Sequence, residues 1–297
     1  ACAEASAGRR ILILYAILIA ICIIPNYICK LSLYFFIMIK LIGDIILNSK
    51  HGKKFGVDAR FVSSSDKKPV IIFVHGFKGF KEWGHFNLMA DHLAEKGFVY
   101  VKPNLSHNGT SIKKPAEFVD LEAFGNNNFS IELDDIGVLI DYLFDDDCAI
   151  PKTEMDINKI FLTGHSRGGG LVILKANEDP RVKAIATLAS VYTLGSWPES
   201  TVKQWKKDGI YNIYNSRTGQ NMPLYYQLVE DVQKNNKRLD VPAAANNIKQ
   251  PMLIIHGSND ESVTVNAAYQ LKKINHPAEL FIIEDAAHTF GGYHPYN

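Results

Sequence analysis

Cysteine is scarce in this chain of 297 residues, and the two signs of charge nearly cancel. The four cysteines are scattered without a C-x-x-C pair, which excludes a disulfide-built miniprotein and a zinc-ribbon site. Lysine and arginine number 32 and aspartate and glutamate 31, so there is no electrostatic case for binding nucleic acid. The G-x-x-x-x-G-K-[ST] phosphate loop and the H-E-x-x-H zinc motif are also missing. What is present is a 47% hydrophobic composition, enough for a sizeable core.

Apolar residues are concentrated near the amino terminus. Residues 11–24 form an unbroken apolar run behind Arg9 and Arg10, and a second apolar stretch, 31–47, carries Lys40 and Asp44. Counted as the eighteen residues Ile11–Ile28, the first run is at the short end of what a bilayer core requires. The two arginines ahead of it resemble the start of a secretory signal or a signal anchor. Translation of an AT-rich upstream region would give a similar composition. We therefore set residues 1–50 apart from a domain that spans 51–297.

The two interpretations of this segment have different consequences for localisation. A genuine signal or anchor predicts export, or association with a membrane through residues 11–47. If the segment is an artefact, the protein is expected in the cytoplasm. No pattern in the sequence specifies an oligomeric state.

Beyond residue 50, short apolar strands alternate with amphipathic helices. Val70–Val74 is a β-branched and aromatic run, typical of a strand that is buried on both faces. Strands separated by helices predict parallel pairing with crossover helices, so the predicted fold class is α/β, with a mostly parallel central sheet flanked by helices. The other predicted strands are Val57–Ser63 (at a sheet edge), Phe98–Val101, Ile160–Thr163, Val182–Leu188, Met252–Ile255 and Leu280–Ile283.

Residues 192–247 interrupt this alternation. The stretch is polar and aromatic and has no strand pattern, and a structureless loop of that length is uncommon in a compact domain. We therefore expect a helical insertion that stands over the sheet. Tyr192 and Trp197 in the insertion, together with Trp83, are candidates to bind substrate because such side chains offer both apolar and hydrogen-bonding surface. The same residues would also serve to pack the insertion onto the sheet.

The clearest chemical motif is the pentapeptide at residues 164–168, Gly-His-Ser-Arg-Gly, between a predicted strand and a predicted helix. A serine on such a tight turn takes an unfavourable backbone conformation, and side chains two residues to either side would collide unless they were glycine. The first amides of the helix point toward the place where negative charge would develop. Ser166 is therefore a candidate nucleophile, and a plain glycine-rich connection is the alternative.

A second motif, His75-Gly76-Phe77, follows the strand Val70–Val74. The backbone amide of Phe77 could complete an oxyanion site together with the amide of Arg167. An ordinary strand-to-helix turn containing glycine would have the same sequence.

Two further strand ends carry an acid and a base. Asp260 follows Met252–Ile255, at the sheet edge where ligands bind in parallel sheets. It could also cap the next helix, and Glu261 is the alternative acid. His288 follows the last strand and can lean toward the serine, with Asp285 as a weaker alternative to Asp260.

The chain order Ser166, Asp260, His288, with the glycine-flanked serine and His75-Gly76-Phe77, resembles the α/β-hydrolase superfamily from about residue 55 onward. It looks closest to bacterial carboxylesterases of the dienelactone-hydrolase-like and cinnamoyl (feruloyl) esterase-like type. The resemblance implies a helical lid inserted after strand six, at about residues 192–247. Residues 104–111 depart from the Asp-x-x-G-x-G-x-S-like segment of many relatives, so pocket details do not carry over.

The resemblance also implies an activity. It implies a serine hydrolase that cleaves small-molecule carboxylic esters through an acyl-enzyme, with Ser166 as nucleophile, His288 as base and Asp260 as orienting acid. The amides of Phe77 and Arg167 would hold the oxyanion, and neither a metal nor an organic cofactor is needed. Aromatic-acyl esters would suit the aromatic insertion. The alternatives are a serine peptidase or acyl-aminoacyl hydrolase, a membrane-tethered lysophospholipase and a non-catalytic binding protein on the same fold.

Overall fold

Ten strands run through the part of the chain that the structure, a computed structural model, describes, residues 38–296. They are β1 (Ile39–Asn48), β2 (Lys54–Val62), β3 (Lys68–Val74), β4 (Val99–Pro103), β5 (Met155–His165), β6 (Val182–Leu188), β7 (Ile210–Asn215), β8 (Gln220–Tyr225), β9 (Met252–Gly257) and β10 (Glu279–Ile283). Eight of them form one sheet in the order β1-β2-β4-β3-β5-β6-β9-β10, and β7 pairs with β8 in a separate hairpin.

Most pairings in the large sheet are parallel, as the alternating sequence pattern predicts. Only the pairs β1/β2 and β2/β4 are antiparallel. Strand β5 lies between β3 and β6, and β9 and β10 follow on the far side of β6. Because parallel strands end at the same edge, the segments that follow β3, β5, β9 and β10 meet at one edge of the sheet.

Eight helices accompany the sheet in the described residues, and they cover both of its faces. They are α1 (Phe86–Glu95), α2 (Leu121–Gly125), α3 (Phe129–Phe144), α4 (Arg167–Glu178), α5 (Glu199–Asp208), α6 (Gln227–Lys234), α7 (Val241–Asn247) and α8 (Asn266–Ile274). Alternate residues of β3 belong to different apolar clusters: Phe73 packs with α1, whereas Ile72 packs with α3 and α4. Since successive strand residues point to opposite faces, the core consists of two layers with the sheet between them.

The sheet begins before the domain boundary that the sequence predicts at residue 51. Strand β1 pairs with β2 and buries Ile45 and Leu47, whereas Ile46 between them is exposed. A bulge lies between Ile42 and Ile45, where Asp44 has a φ of 58°. The bulge shifts the alternation of apolar residues, which hides the strand from a reading of the sequence. The prediction that β2 lies at the sheet edge is therefore wrong, because β1 occupies that position.

The insertion between β6 and β9 is not purely helical. It contains α5, the β7–β8 hairpin, α6 and α7. The two hairpin strands are polar and aromatic, so they lack the alternating apolar pattern from which a strand is recognised. Helix α7 buries Val241, Ala244 and Ala245 in the main core, so the end of the insertion belongs to the body of the domain.

The predicted signal or anchor lies outside the described residues. The structure does not describe the apolar run 11–24 or the first part of the second stretch, 31–37. Among residues 38–296, no helix is both long enough and apolar enough to cross a bilayer.

Replacing Ile45 by alanine tests whether β1 belongs to the folded domain. The Ile45 side chain is 6% exposed, so its truncation should lower the free energy of unfolding by about 2–4 kcal/mol. Ile46 faces the other way and is 46% exposed, and its replacement by alanine should change that free energy by about 0.5 kcal/mol at most. Urea denaturation measures both values, and equal effects at the two positions would contradict the pairing.

Candidate active site

Ser166 is the single residue between the end of β5 and the start of α4. It has a φ of 56° and a ψ of −118°, a conformation that costs a non-glycine residue on the order of 1–3 kcal/mol. Three backbone hydrogen bonds hold it there. Its N–H donates to the carbonyl of Leu188 (2.8 Å), and its carbonyl accepts from the N–H groups of Gly169 (3.0 Å) and Val191 (3.2 Å).

The glycines on either side of this turn are required by close backbone contacts. A Cβ atom on Gly164 would lie 2.1 Å from the carbonyl oxygen of Gly168. A Cβ atom on Gly168 would lie 2.2 Å from the carbonyl oxygen of Val74 at the end of β3. Helix α4 can therefore approach β3 and β5 only because both side chains are absent, which is the steric reason expected from the sequence.

The turn after β3 lies directly against Ser166. A Cβ atom on Gly76 would be 3.0 Å from the Cβ of Ser166. His75 secures this turn, since its Nδ1–H donates to the carbonyl of Gly76 (3.0 Å) and its Nε2 accepts from the N–H of Leu105 (3.2 Å). Burial lowers the pKa of His75 to about 4, which keeps the ring neutral and able to do both.

Two backbone amides flank the serine in this arrangement. Arg167 is the first residue of α4, so its N–H has no acceptor within the helix. The N–H of Phe77 has no hydrogen-bond acceptor among residues 38–296 either. Both amides are therefore available to a ligand oxygen.

The side chain of Arg167 is held by Phe77 and by two partners that the sequence does not indicate, Phe129 and Glu132. Its guanidinium group lies 4.2 Å from the ring centre of Phe77 and 5.0 Å from that of Phe129, in cation–π contacts. It also pairs with the carboxylate of Glu132 at 3.3 Å. Phe129 and Glu132 lie on α3, more than thirty residues earlier in the chain, and no spacing signal links them to the serine motif.

His288 and Asp260 form the second part of the site. The Nδ1 atom of His288 lies 2.7 Å from Oδ2 of Asp260. A carboxylate can only accept, so Nδ1 carries the proton and Nε2 is left as an acceptor. The other oxygen, Oδ1, accepts from the N–H groups of Ser262 (2.9 Å) and Val263 (2.8 Å). The Asp260 side chain is fully buried, whereas that of His288 is 19% exposed.

The alternative acids do not contact His288 in the described structure. Asp285 accepts from the side-chain amide of Asn259 (3.3 Å), and Glu261 is exposed. The buried His256 also contacts Asp260, with Nε2 3.2 Å from Oδ2, the oxygen that accepts from His288. Its Nε2–H also donates to the carbonyl of Val263 (2.8 Å), and burial lowers the pKa of its ring.

The turn that carries Ser166 and the loop that carries His288 are joined by a side-chain-to-backbone hydrogen bond. The Nε2–H of His165 donates to the carbonyl of His288 at 2.9 Å, which connects the residue before Ser166 to the last loop. No hydrogen bond to the Ser166 hydroxyl occurs among the described residues.

The three predicted substrate-binding residues lie in different surroundings. Trp83 stacks on His294 with ring centres 6.4 Å apart and packs on Phe86. Trp197 packs edge-on against Trp205 inside the insertion, with ring centres 5.3 Å apart. Tyr192 is half-buried and follows Val191, whose N–H donates to the Ser166 carbonyl, so its backbone lies beside the turn.

No cluster of three or more His, Cys, Asp or Glu side chains within residues 38–296 is arranged to hold a metal ion.

Solved structures share this architecture. Est1E from Butyrivibrio proteoclasticus has a TM-score of 0.59 and 20% identity, over 84% of this chain and 92% of that one. The same protein with bound ferulic acid has a TM-score of 0.62 and 21% identity, over 83% and 92%. An esterase domain from Rhodothermus marinus has a TM-score of 0.55 and 17% identity, over 86% and 91%. At these identities the likeness shows the fold.

Curated relatives match shorter segments. The α/β hydrolase psoB of Aspergillus fumigatus is 39% identical over 61 residues, which is 20% of this chain and 14% of that protein. The cutinase est2 of Thermobifida alba is 26% identical over 105 residues, 35% of each chain. The chain thus spans well under half the length of these relatives.

The family comparison covers most of the chain. The sequence model of the Dienelactone hydrolase family matches residues 57–295, from the second strand to the last loop. The superfamily resemblance and the mostly parallel sheet expected from the sequence are thereby confirmed. The chain is a member of the dienelactone hydrolase family, and its fold is that of the α/β-hydrolases.

Proposed function

We propose that the protein is a serine hydrolase that cleaves carboxylic esters through an acyl-enzyme. The observation that carries this proposal is the strained Ser166 at the β5–α4 turn, which is hydrogen-bonded through its neighbour to a loop that bears an aspartate-oriented histidine. Strain of this kind persists only where the surrounding structure imposes it, and it is concentrated at functional sites. Membership of a hydrolase family supports the same reaction class.

Each group has a distinct part in the proposed reaction. Ser166 Oγ attacks the acyl carbon while Nε2 of His288 takes its proton, and Asp260 stabilises the resulting imidazolium. The tetrahedral intermediate collapses, the alcohol leaves with the proton from His288, and the acyl group stays on Ser166. Water then attacks this ester with His288 again as the base, which releases the acid and restores the serine.

The oxyanion of each tetrahedral intermediate would be held by the backbone amides of Phe77 and Arg167. Both amides adjoin Ser166, and neither is committed to another acceptor. A single donor of this type is typically worth about 3 kcal/mol of transition-state stabilisation. Backbone N–H donors do not depend on which side chains the two residues carry. The stabilisation of the oxyanion would therefore depend on the backbone conformation of the two turns.

We further propose that the acyl group is aromatic. A series of aromatic rings leads away from the oxyanion turn: Phe77 lies 5.5 Å from Phe124, which lies 6.1 Å from Phe118. Phe80 continues the series, 5.9 Å from Phe118. Phe77 is the half-buried ring of this series, and it can offer an edge to an aromatic acid while the buried rings pack behind it. A likeness to Est1E, for which a ferulic acid complex is known, supports this substrate class.

Replacing Ser166 by alanine should abolish turnover of p-nitrophenyl acetate. The expected loss in kcat is on the order of 10⁶-fold, because no other group can form the acyl-enzyme. Thermal unfolding would check that the variant is folded, and Ser64→Ala, at an exposed serine, is the matched control. Hydrolysis by Ser166→Ala at a rate close to that of the unmodified protein would refute the assignment.

Asparagine at position 260 should remove the orienting acid while keeping its shape. An amide can present its N–H₂ to Nδ1 and favour the wrong tautomer of His288, so kcat should fall by about 10³–10⁴-fold. Asp285→Asn and Glu261→Gln are the controls, because neither carboxylate contacts His288, and both should stay within about twofold of the unmodified protein. A larger loss of kcat in Asp285→Asn than in Asp260→Asn would show that Asp285, and not Asp260, is the orienting acid.

A substrate panel tests the aromatic-acyl proposal independently of the triad. Methyl ferulate should be cleaved with a higher kcat/KM than methyl esters of long-chain fatty acids, because the half-buried Phe77 ring at the oxyanion turn can contact an aromatic acyl group edge-on. Methyl acetate, with the same leaving group, is the reference for acyl size. A preference for long-chain esters would overturn the proposed substrate class and leave the serine mechanism standing.

A further inference from the structure

His165 is the last residue of β5, immediately before Ser166. Its side chain is almost fully buried, and its Nε2 lies 2.9 Å from the carbonyl oxygen of His288. Because a carbonyl can only accept, Nε2 carries the proton and donates it. One side chain thus connects the turn that carries the serine to the backbone of the residue that carries the proposed base.

The ring of His165 is confined on several sides. Its centre is 4.8 Å from the ring of His288 and 6.0 Å from that of Phe86. On the Nδ1 side, a Cβ atom placed on Gly76 would be 3.4 Å away. Burial lowers the pKa of His165 to about 3, and the positive charge of a protonated His288 would act in the same direction. The ring is therefore a fixed, neutral donor.

Other ties hold this loop on both sides of His288. Behind it, the N–H of Gly84 donates to Nδ1 of His294 (3.1 Å). The N–H of Asn259 donates to the carbonyl of Ala286 (3.0 Å), and the N–H of Asp285 donates to the hydroxyl of Ser258 (2.8 Å). Both connect the start of the loop to the turn after β9, on the side of Asp260. On the side of Ser166, the hydrogen bond from His165 is the direct tie to the residue that bears the imidazole.

We propose that His165 is a positioning residue that sets the distance between the Ser166 turn and the imidazole of His288. This inference rests on the proposed function, since it assigns to His165 the alignment of the nucleophile and its base. Misplacement of a reacting group by about 1 Å can cost on the order of 100-fold in rate. A hydrogen bond of 2.9 Å to the backbone of the base removes that freedom without touching the substrate.

A neutral donor at position 165 suits the reaction that it would serve. His288 becomes positively charged when it takes the serine proton, and the two rings are 4.8 Å apart. A lysine or arginine at position 165 could also donate to the carbonyl, but its charge would oppose formation of the imidazolium. A buried imidazole with a strongly lowered pKa donates without that repulsion.

Substitution of His165 by glutamine or by asparagine distinguishes the effect of its hydrogen bond to His288 from the effects of side-chain polarity and size. The Nε2 of glutamine reaches the place of the histidine Nε2, whereas the Nδ2 of asparagine reaches only that of Nδ1. His165→Asn should lower kcat for p-nitrophenyl acetate by about 10–100-fold with KM unchanged. His165→Gln should recover kcat to within about threefold of the unmodified protein. His165→Phe keeps a ring without a donor and should match asparagine, so a folding failure of one variant leaves the other to test the inference.

A second readout does not need turnover. The proton shared by His288 and Asp260 should give a downfield ¹H NMR resonance, which Asp260→Asn assigns by removing it. The resonance should persist in His165→Gln and weaken in His165→Asn and His165→Phe, because the loop would no longer hold the ring in place.

The outcomes separate this inference from the proposed function. Unmodified protein that hydrolyses no ester would refute the proposed function, and the NMR comparison would still decide the role of His165. Active protein, inactive Ser166→Ala and wild-type kcat in folded His165→Asn would overturn the positioning role alone. Equal losses in the glutamine and asparagine variants would also overturn it, because a purely packing role does not depend on the reach of the donor.

Discussion

The close contact between α4 and the two strands β3 and β5 is the constraint on which the site depends. It exists because Gly164 and Gly168 carry no side chain, and it forces Ser166 into a conformation with positive φ. The strain is compensated by the three backbone hydrogen bonds of Ser166 and by the burial of Leu171 and Ile173 on α4. The same contact brings the turn after β3 against the serine, so the proposed nucleophile and the proposed oxyanion donors are both placed by one steric requirement.

Buried neutral histidines stabilise the loops around this contact. His75 holds the turn after β3, His165 holds the loop of His288, and His256 lies beside Asp260. Burial lowers the pKa of all three rings, so each supplies hydrogen bonds without adding a charge. A positive charge on any of these rings would disfavour the imidazolium of His288 that the proposed mechanism forms next to the Asp260 carboxylate.

The insertion is attached to the aromatic side of the site by polar contacts of its hairpin and of α6. Gln220 donates to the carbonyl of Phe118 (2.9 Å), the Tyr225 hydroxyl donates to Glu122 (2.5 Å), and Gln227 donates to the carbonyl of Asn127 (2.9 Å). These bonds reach the segment that contributes Phe118 and Phe124. In the proposed function, the insertion therefore supports the rings that pack behind Phe77, and its own aromatic residues add to the acyl pocket.

Local patterns in the sequence were sufficient to predict the parallel sheet, the glycine-flanked serine turn and the chain order of the candidate acid and base. They were sufficient because each depends on neighbouring residues: buried strands read as continuous apolar runs, and a tight strand-to-helix turn needs glycine at fixed offsets. Tertiary structure decided the rest. The bulge at Asp44 concealed β1, and the polar hairpin at 210–225 lacked a strand pattern. The partners Glu132 and Phe129 of Arg167, and the bond from His165 to His288, join segments far apart in the chain. Only the packing of helices and loops on the sheet brings such side chains together, because contacts between distant segments leave no periodic trace in the sequence.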